Sequence, residues 1–242
     1  MQKTFVIAEA GISHDGDLIG AMRLVDVAKK AGADAVKFQY FDPERLAKRR
    51  GKPELAAKLA PYRMRHASME VLKDRADKAG IEFMCSTFDI EGLSEIAPLV
   101  SRFKIPSPEA LDREFVDAHY GYGKPVIISC GENPKRFREP VTSWLWCVSR
   151  YPCPLADARL DQIRIGGYNG YSDHTGDTMM GALAVASGAG IVEAHLKGSW
   201  TRRENPDYET SLDDVAFKQY VELIREAEKA VYGQASEGSS GR

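Results

Sequence analysis

Short apolar runs recur along the chain, and most of them are followed by polar residues and then by a segment with helical periodicity. This alternation of strand and helix is typical of a parallel sheet, because parallel neighbours need a crossover between them. The pattern predicts eight strands, at residues 5–10, 35–39, 82–86, 102–105, 126–129, 144–149, 170–172 and 191–195.

Segments with an apolar stripe at helical spacing separate most of the predicted strands. In segment 18–31, for example, Ala21, Leu24, Val25 and Ala28 fall on one face, as expected of a helix that packs on a sheet. The pattern predicts helices at residues 18–31, 69–79, 91–100, 112–120, 177–187 and 213–232.

Two connections are too lean for a full crossover helix. Segment 129–143 contains two prolines and no apolar stripe, and segment 151–170 has room only for a short helix around 155–165. We therefore expect an α/β fold of the (β/α)8 TIM barrel type, with shortened fifth and sixth βα connections. An open doubly wound sheet is the alternative, although the chain contains no G-x-G-x-x-G fingerprint for a nucleotide.

Length and composition agree with one barrel. The chain has 242 residues, of which 43% are hydrophobic and 28% charged. We expect a barrel domain at residues 1–232 and a disordered Gly/Ser-rich tail at 233–242. The formal net charge of −2 argues against a nucleic-acid partner. A local basic cluster, RLAKRRGK at 45–52, is interpreted as a solvated loop, with binding of an anionic ligand as the alternative.

Cysteine usage and the chain start predict a cytoplasmic protein. Cys85, Cys130, Cys147 and Cys153 show no C-x-x-C spacing and are expected to be reduced thiols. The first residues lack the features of a secretory signal, and no apolar stretch is long enough to span a bilayer. We expect no membrane partner.

Two histidines lie at the ends of consecutive apolar runs, His174 in GYSDHT and His195 in IVEAH. If these runs are adjacent parallel strands, both imidazoles can hold one divalent metal ion and leave positions open for substrate. The alternative is that each histidine only satisfies a backbone carbonyl.

Polar residues, among them Gln39 and Ser86, occur where the predicted strands end, and this is where parallel barrels carry their chemistry. Lys37 and Lys104 lie inside apolar runs, and burying an unpaired ammonium is costly. With the neighbouring hydroxyls they predict a site for a phosphate and a carboxylate on one small molecule, and phosphoenolpyruvate carries both groups. The alternative is that the two lysines pair with Glu9 and Glu109 inside the barrel.

These residues and motifs resemble the sialic acid synthase family, barrels that condense phosphoenolpyruvate with an N-acetylmannosamine-type sugar. The matching stretches run along nearly the whole chain and fit poorly only at 41–65 and in the two lean connections. They are FVIAEAGISHDGD, AGADAVKFQ, GIEFMCSTFD, RFKIPSPE, GKPVIISCGE, WCVSRYPCP, GYSDHT, IVEAHL and NPDYETSLDDVAFKQYVELIREAEKA.

The resemblance implies a role for each matching residue. His174 and His195 would hold the catalytic divalent ion, typically manganese, with magnesium as the alternative. Glu109 matches a carboxylate near the reacting carbons, with Glu9 and Glu193 in the same mouth. Asp207 matches a position on the acceptor-sugar side. The residues implied to line the phosphoenolpyruvate pocket are Lys37, Thr87, Lys104, Ser107, Ser129, Tyr151 and Ser172.

The chain also departs from the family pattern. The usual asparagine of the CVSNYP-like element is replaced in Ser149-Arg150-Tyr151, and Pro108 removes a backbone donor beside Glu109. Full-length relatives continue into a small antifreeze-like domain that reaches over a partner's barrel. Since this chain ends soon after its last helix, the resemblance implies the barrel domain alone. The mouth could then be covered by a homodimer partner or by a separate lid-like protein.

The resemblance implies a condensation that gives a 2-keto-3-deoxy, sialic-acid-like acid and releases phosphate by C–O cleavage. Glu109 is the first candidate to move the water proton, with Glu9 or Glu193 as alternatives. Two other interpretations stay open: another metal-dependent barrel enzyme acting on a different small sugar, and a non-catalytic binding subunit.

Overall fold

The computed structural model describes residues 3–131 and 142–233. Within these ranges the chain forms eight parallel strands that alternate with helices. The strands are β1 (Phe5–Gly11), β2 (Ala35–Tyr40), β3 (Glu82–Thr87), β4 (Phe103–Ile105), β5 (Val126–Cys130), β6 (Thr142–Trp146), β7 (Gly170–Asp173) and β8 (Ile191–His195).

The strands form a nearly closed barrel, which confirms the predicted fold. Their order is β3-β2-β1-β8-β7-β6-β5-β4, so the first strand pairs with the last, as a barrel requires and an open doubly wound sheet does not. Side chains bridge the remaining seam between β3 and β4. The Ser86 hydroxyl donates to the Lys104 carbonyl at 3.0 Å, and Arg102 Nε donates to Glu82 Oε1 at 2.8 Å.

Helices cover the outside of the barrel. The first, sixth, eighth and ninth overlap the predicted segments closely, and the fourth begins three residues earlier than predicted. The α-helices of the described residues are α1 (Leu18–Ala31), α2 (Pro43–Arg50), α3 (Glu54–Leu59), α4 (His66–Ala79), α5 (Ile90–Ile96), α6 (Arg113–Tyr120), α7 (Asp161–Ile165), α8 (Met180–Ala186) and α9 (Asp214–Tyr232). Within the described ranges, none of them has both the length and the apolar character needed to cross a bilayer.

The basic cluster at 45–52 is not a solvated loop, and that expectation is wrong. Most of it belongs to α2, which the Asp42 side chain caps by accepting from the amides of Glu44 and Arg45. Gly51 ends the helix in the left-handed conformation at φ 62°. The run of charges conceals the helix in the sequence, because the buried side of α2 consists of little more than Pro43, Leu46 and Ala47.

The connection after β6 is short, as predicted. It holds a single 3-10 turn at Leu155–Asp157 followed by the five-residue helix α7. β6 itself lies two residues closer to the N-terminus than predicted, at Thr142–Trp146 instead of 144–149. Most of the other lean connection, residues 132–141, and the predicted tail beyond Gly233 fall outside the described residues.

The interior of the barrel carries an apolar layer beneath a polar one. Because side chains alternate along a strand, residues two positions apart point to the same face. The apolar inner layer is formed by Ile7, Ala35, Met84, Ile127 and Leu145. Two residues further along four of these strands stand Glu9, Lys37, Ser86 and Ser129. The packed layer therefore closes the barrel below the point where the polar side chains begin.

Candidate active site

Four charged side chains meet inside the barrel at the carboxyl ends of the strands. Lys37 Nζ lies 2.8 Å from Glu9 Oε2 and 3.5 Å from Glu193 Oε2, and Lys104 Nζ lies 3.3 Å from Glu193 Oε1. All four residues are at most 4% exposed. Two ammonium groups and two carboxylates balance in charge, so the interior tolerates them without a ligand.

The alternative that the strand lysines pair with Glu9 and Glu109 is half right. Lys37 pairs with Glu9, but the carboxylate beside Lys104 is that of Glu193. Glu109 instead accepts from Arg50 Nη2 at 2.6 Å.

The four charged groups of this cluster are not equally well compensated by their neighbours. Burial alone would raise the pKa of the Glu193 carboxyl, but the ammonium groups of Lys104 and Lys37 lower it to about 2. Burial raises the pKa of Glu9 and lowers that of Lys104, while the carboxylates of Glu193 and Glu9 outweigh burial and raise the pKa of Lys37. Lys104 is therefore the less well compensated cation, and an anionic ligand would stabilise its charge.

Hydroxyl and amide groups surround the four charges. Ser172 Oγ donates to Glu193 Oε1 at 2.9 Å, and Lys37 Nζ donates to Ser86 Oγ at 3.1 Å. The Ser129 hydroxyl is buried without a hydrogen-bond partner in the described part of the chain, where its proton is available to a ligand. These groups supply donors next to the ammonium groups.

His174 and His195 are brought together, as the sequence predicts. Their ring centroids lie 5.6 Å apart with the planes inclined at 61°. His174 Nδ1 donates to the Val148 carbonyl at 2.6 Å, and the Tyr151 hydroxyl donates to His174 Nε2 at 3.0 Å. The alternative role, satisfying a carbonyl, therefore accounts for one nitrogen of His174, while the lone pair of the other accepts from Tyr151, a residue that lines the cavity.

The donor atoms fit a divalent cation. Burial lowers the pKa of both imidazoles, that of His174 to about 3, so both are neutral at pH 7, the form that binds metals. His195 Nδ1 and Asp207 Oδ2 lie 3.7 Å apart, and neither has a hydrogen-bond partner in the described ranges. Among residues 3–131 and 142–233, no group of three or more His, Cys, Asp or Glu side chains is arranged to hold a metal ion. A cation held here would keep open positions.

A cavity that is partly open to solvent joins the charged cluster to the two histidines. Ten of the thirteen predicted site residues line it. They are Glu9, Lys37, Lys104, Ser107, Ser129, Tyr151, Ser172, His174, Glu193 and His195.

Three predicted residues do not line this cavity. Thr87 is buried at the end of β3, with its hydroxyl unpartnered. Asp207 stands beside His195, and Glu109 stands beside Arg50. The substituted residue Arg150 also lies outside the cavity, since its side chain is exposed and pairs with Asp157 at 2.8 Å.

Asp207 is held close to the end of β1. Gly11 has φ 50°, and a Cβ built on it would lie 3.1 Å from Asp207 Oδ2, 3.2 Å from Glu9 Oε1 and 3.3 Å from Gln39 Nε2. Any larger residue would therefore crowd these groups. The loop that carries Asp207 is anchored because Asn205 Nδ2 donates to the Ile12 carbonyl at 2.8 Å.

Three residues at or near the cavity were not found by sequence reasoning. Phe88 lines the cavity directly after β3, Pro106 lines it directly after β4, and Arg50 reaches Glu109 from α2. Phe88 follows the Thr87 motif position and could have been included with it. The capping residues Asp42 and Gly51 could have revealed the helix of Arg50, although not the contact it makes.

Fold and site together define an enzyme of the parallel-barrel class, with a charged cluster and two histidines at the carboxyl ends of the strands. The model of the NeuB family matches residues 24–236, and the chain belongs to this family.

Named relatives share the barrel over most of their length. The N,N'-diacetyllegionaminic acid synthase of Legionella pneumophila is 32% identical, with 93% of this chain and 72% of the relative aligned. The pseudaminic acid synthase of Campylobacter jejuni strain 81-176 is 32% identical, with 95% and 75% aligned. The crystal structure of the N-acetylneuraminic acid synthetase of Leptospira borgpetersenii superimposes with a TM-score of 0.85 at 31% identity, covering 98% of this chain and 88% of that one.

Proposed function

We propose that the protein condenses phosphoenolpyruvate with an aldehyde sugar and releases a 2-keto-3-deoxy acid of the sialic acid type together with phosphate. One observation carries the proposal: Lys37 and Lys104 share a single cavity with His174 and His195. The ammonium groups would bind the phosphate and carboxylate of an enol phosphate, and a metal ion held by the histidines would polarise the aldehyde of the acceptor. The named synthases among the relatives make acids of this type, which supports the same reaction class here.

The two lysines bind the anionic groups of phosphoenolpyruvate. Lys104, whose charge is the less compensated, gains most when an anion enters the cavity. Ser107, Ser129 and Ser172 line the same space. The Ser172 hydroxyl donates to Glu193, so the hydroxyls of Ser107 and Ser129 are the ones that donate to phosphate or carboxylate oxygens. Pairing with Glu9 and Glu193 keeps both ammonium groups in place before substrate arrives.

His174 and His195 hold a divalent metal ion, which we propose to be manganese, with magnesium as the alternative. When bound, this ion supplies a Lewis acid for the aldehyde oxygen of the acceptor. The Val148 carbonyl fixes the tautomer of His174 and so directs Nε2 toward the cavity. Asp207, beside His195, contacts the acceptor sugar.

The reaction balances with one water. C3 of phosphoenolpyruvate forms a bond to the aldehyde carbon, water adds at C2, and the C2–O bond to phosphate breaks to leave the keto group. Glu193 is the least suited of the three glutamates to take the water proton, because two ammonium groups lower its pKa to about 2. Burial raises the pKa of Glu109 and of Glu9. We assign the proton transfer to Glu109, whose Oε2 has no hydrogen-bond partner among the described residues and whose amide donates to the carbonyl of Pro106, a residue that lines the cavity.

The proposal is tested by measuring phosphate release. The protein is incubated with manganese, phosphoenolpyruvate and a panel of aldehydes that includes N-acetylmannosamine and smaller sugars. Release that depends on both the aldehyde and the metal supports the proposal. Release at the same rate without aldehyde contradicts it. If nothing is released and manganese with phosphoenolpyruvate leaves the melting temperature unchanged, the site does not bind the proposed ligands.

We further propose a cytoplasmic location and a covered cavity mouth. None of the four cysteines, all of which lie in the described ranges, forms a disulfide, as expected in a reducing compartment.

Tyr151, which stacks on His174 with ring centroids 4.2 Å apart, is 48% exposed. A second copy of the chain or a separate lid-like protein would cover this ring and exclude water from the site.

A further inference from the structure

Helix α2 is tied to the barrel by three arginines, each of which pairs with a different acidic residue. Arg45 binds Asp89 through Nε and Nη2 at 3.0 and 3.2 Å. Arg49 binds Asp112 at 2.5 Å. Arg50 binds Glu109 at 2.6 Å. The first two acids cap helices α5 and α6, but Glu109 caps no helix and is the predicted acid/base.

The contact between Arg50 and Glu109 leaves one carboxylate oxygen free. Arg50 Nη2 donates to Oε1, while Oε2 is buried and has no hydrogen-bond partner among the described residues. The Glu109 side chain is 4% exposed, whereas that of Arg50 is 33% exposed. In the described part of the chain, the charged groups with the largest effect on the pKa of Glu109 are the guanidinium groups of Arg50 and Arg49, both on α2.

The turn that carries Glu109 also reaches the cavity. The amide of Glu109 donates to the Pro106 carbonyl at 3.1 Å, and the amide of Ala110 donates to the Ser107 carbonyl at 3.3 Å. Pro106 and Ser107 line the cavity. A side chain that holds Glu109 in place therefore holds a carboxylate that lies one turn of chain away from residues lining the cavity.

We propose that Arg50 is a positioning residue of the reaction: it holds Glu109 through Oε1, keeps the carboxylate ionised and leaves Oε2 as the proton acceptor. The inference rests on the proposed function, since it assigns a task to Glu109 in that reaction. Burial alone would favour the neutral carboxyl, so the guanidinium is the group that keeps a base available. A lysine at position 50 would supply the charge but not the fixed direction of the Nη2 donor that holds Oε1.

The test compares Arg50→Gln, Arg50→Lys and the control Arg49→Gln in the full chain. Both glutamine variants remove an arginine of α2 that pairs with a carboxylate and lies over an aromatic ring, Phe115 for Arg49 and Phe88 for Arg50. Arg49 also donates to the Phe88 carbonyl, so its loss is at least as harmful to folding. Kinetics are measured from pH 5 to 9 with saturating manganese. The Glu109 carboxyl is titrated in parallel by carbon-13 NMR of labelled protein, with Glu109→Gln identifying its signal.

For Arg50→Gln we expect kcat to fall at least about tenfold, with KM for phosphoenolpyruvate changed less than about twofold, because a misplaced base affects proton transfer more than binding. The acidic limb of the kcat profile moves to higher pH, since Glu109 now needs a higher pH to ionise. Arg50→Lys restores the limb better than it restores kcat. Arg49→Gln leaves kcat near wild type and moves the acidic limb in the same direction as Arg50→Gln but by less, because Arg49 bonds Asp112 and acts on Glu109 only through its charge.

Equal kinetic effects of Arg50→Gln and Arg49→Gln would overturn the inference, as would an unchanged NMR titration of Glu109 in Arg50→Gln. The NMR experiment needs no turnover, so the two proposals fail separately. If the wild-type protein released no phosphate with any aldehyde, the proposed function would fail, and the titration would still decide whether Arg50 controls the ionisation of Glu109.

Discussion

Lys104 Nζ and Glu193 Oε1 lie 3.3 Å apart although their strands, β4 and β8, stand on opposite sides of the barrel. Glu193 also faces Lys37 and accepts from Ser172. This one carboxylate therefore compensates two ammonium groups in the interior, and its removal would leave both short of a counter-charge.

The first prediction concerns the variant Glu193→Gln. We expect the free energy of unfolding to fall by about 3–5 kcal/mol, because buried charge is left uncompensated. Phosphoenolpyruvate should restore more stability to this variant than to wild type, since its negative charges replace the missing carboxylate. Urea unfolding with and without phosphoenolpyruvate measures both effects.

Glu9→Gln is the matched control for this prediction. It removes one partner of Lys37 but leaves Glu193 at 3.5 Å, so the loss of stability should be smaller. An equal loss in both variants would mean that Glu193 is not the shared counter-charge.

The second prediction concerns the substrate anion. Lys104→Met should weaken phosphoenolpyruvate binding at least about tenfold, since a charge-assisted hydrogen bond contributes ~1.5–3 kcal/mol. Manganese binding should change far less. Titration calorimetry with each ligand separates the two. Lys124→Met is the control, because Lys124 donates to the Ala97 and Val100 carbonyls outside the cavity. Equal losses for phosphoenolpyruvate and manganese would indicate general unfolding instead of a lost contact.

The third prediction concerns the metal. Manganese should raise the melting temperature of the wild-type protein, because a ligand that binds only the folded state stabilises it. His174→Ala and His195→Ala should each abolish this rise. His66→Ala should keep it, since His66 is partly exposed and contacts the Glu95 carbonyl away from the site. If either cavity variant keeps the full rise, the metal does not bind between these two rings.

The fourth prediction concerns acid stability. Burial lowers the pKa of His14 and His119 to about 4 and that of His174 to about 3, against an ordinary value of 6.5. As the pH falls below 6.5, these histidines bind protons in the unfolded chain but stay neutral in the folded one. The free energy of unfolding therefore decreases until the histidines of the folded protein are also protonated. Each histidine adds a slope of ~1.4 kcal/mol per pH unit.

His119 offers a way to measure this slope without disturbing the cavity. Its Nδ1 donates to the Phe115 carbonyl at 2.7 Å, and it packs against Phe103. His119→Gln should reduce the slope of the unfolding free energy against pH between 4 and 6.5 by ~1.4 kcal/mol per pH unit, which is the contribution of one proton. An unchanged slope would show that His119 binds protons equally in both states.

Much of the barrel and of its polar layer could be predicted from the sequence. Alternation with period two places Lys37 and Glu9 on the same face as Ala35 and Ile7, and the strand ends of a parallel barrel meet at one face. These two rules are sufficient to bring His174, His195, Lys37 and Lys104 together. Each of these residues stands on or next to a strand whose register is fixed by its apolar residues.

The partners of the glutamates could not be predicted in the same way. Glu109 binds Arg50, which lies 59 residues earlier on a helix whose apolar face is too small to show as a stripe. The assignment of Lys104 to Glu193 depends on the side chains crossing the barrel, and a pattern along the chain does not contain that distance. Likewise, lining the cavity depends on side-chain direction, which is why Thr87 and Asp207 matched the motif without lining it.

The most direct test of the central claim follows the oxygen that bridges C2 and phosphorus in phosphoenolpyruvate. With this oxygen labelled as oxygen-18, and with manganese and an accepted aldehyde sugar, phosphate and keto acid are analysed by mass spectrometry. Cleavage of the C–O bond in the lysine-lined cavity predicts that all of the label leaves with phosphate, and only when the aldehyde is present. Label retained in the keto acid, or labelled phosphate formed equally well without aldehyde, would contradict the account.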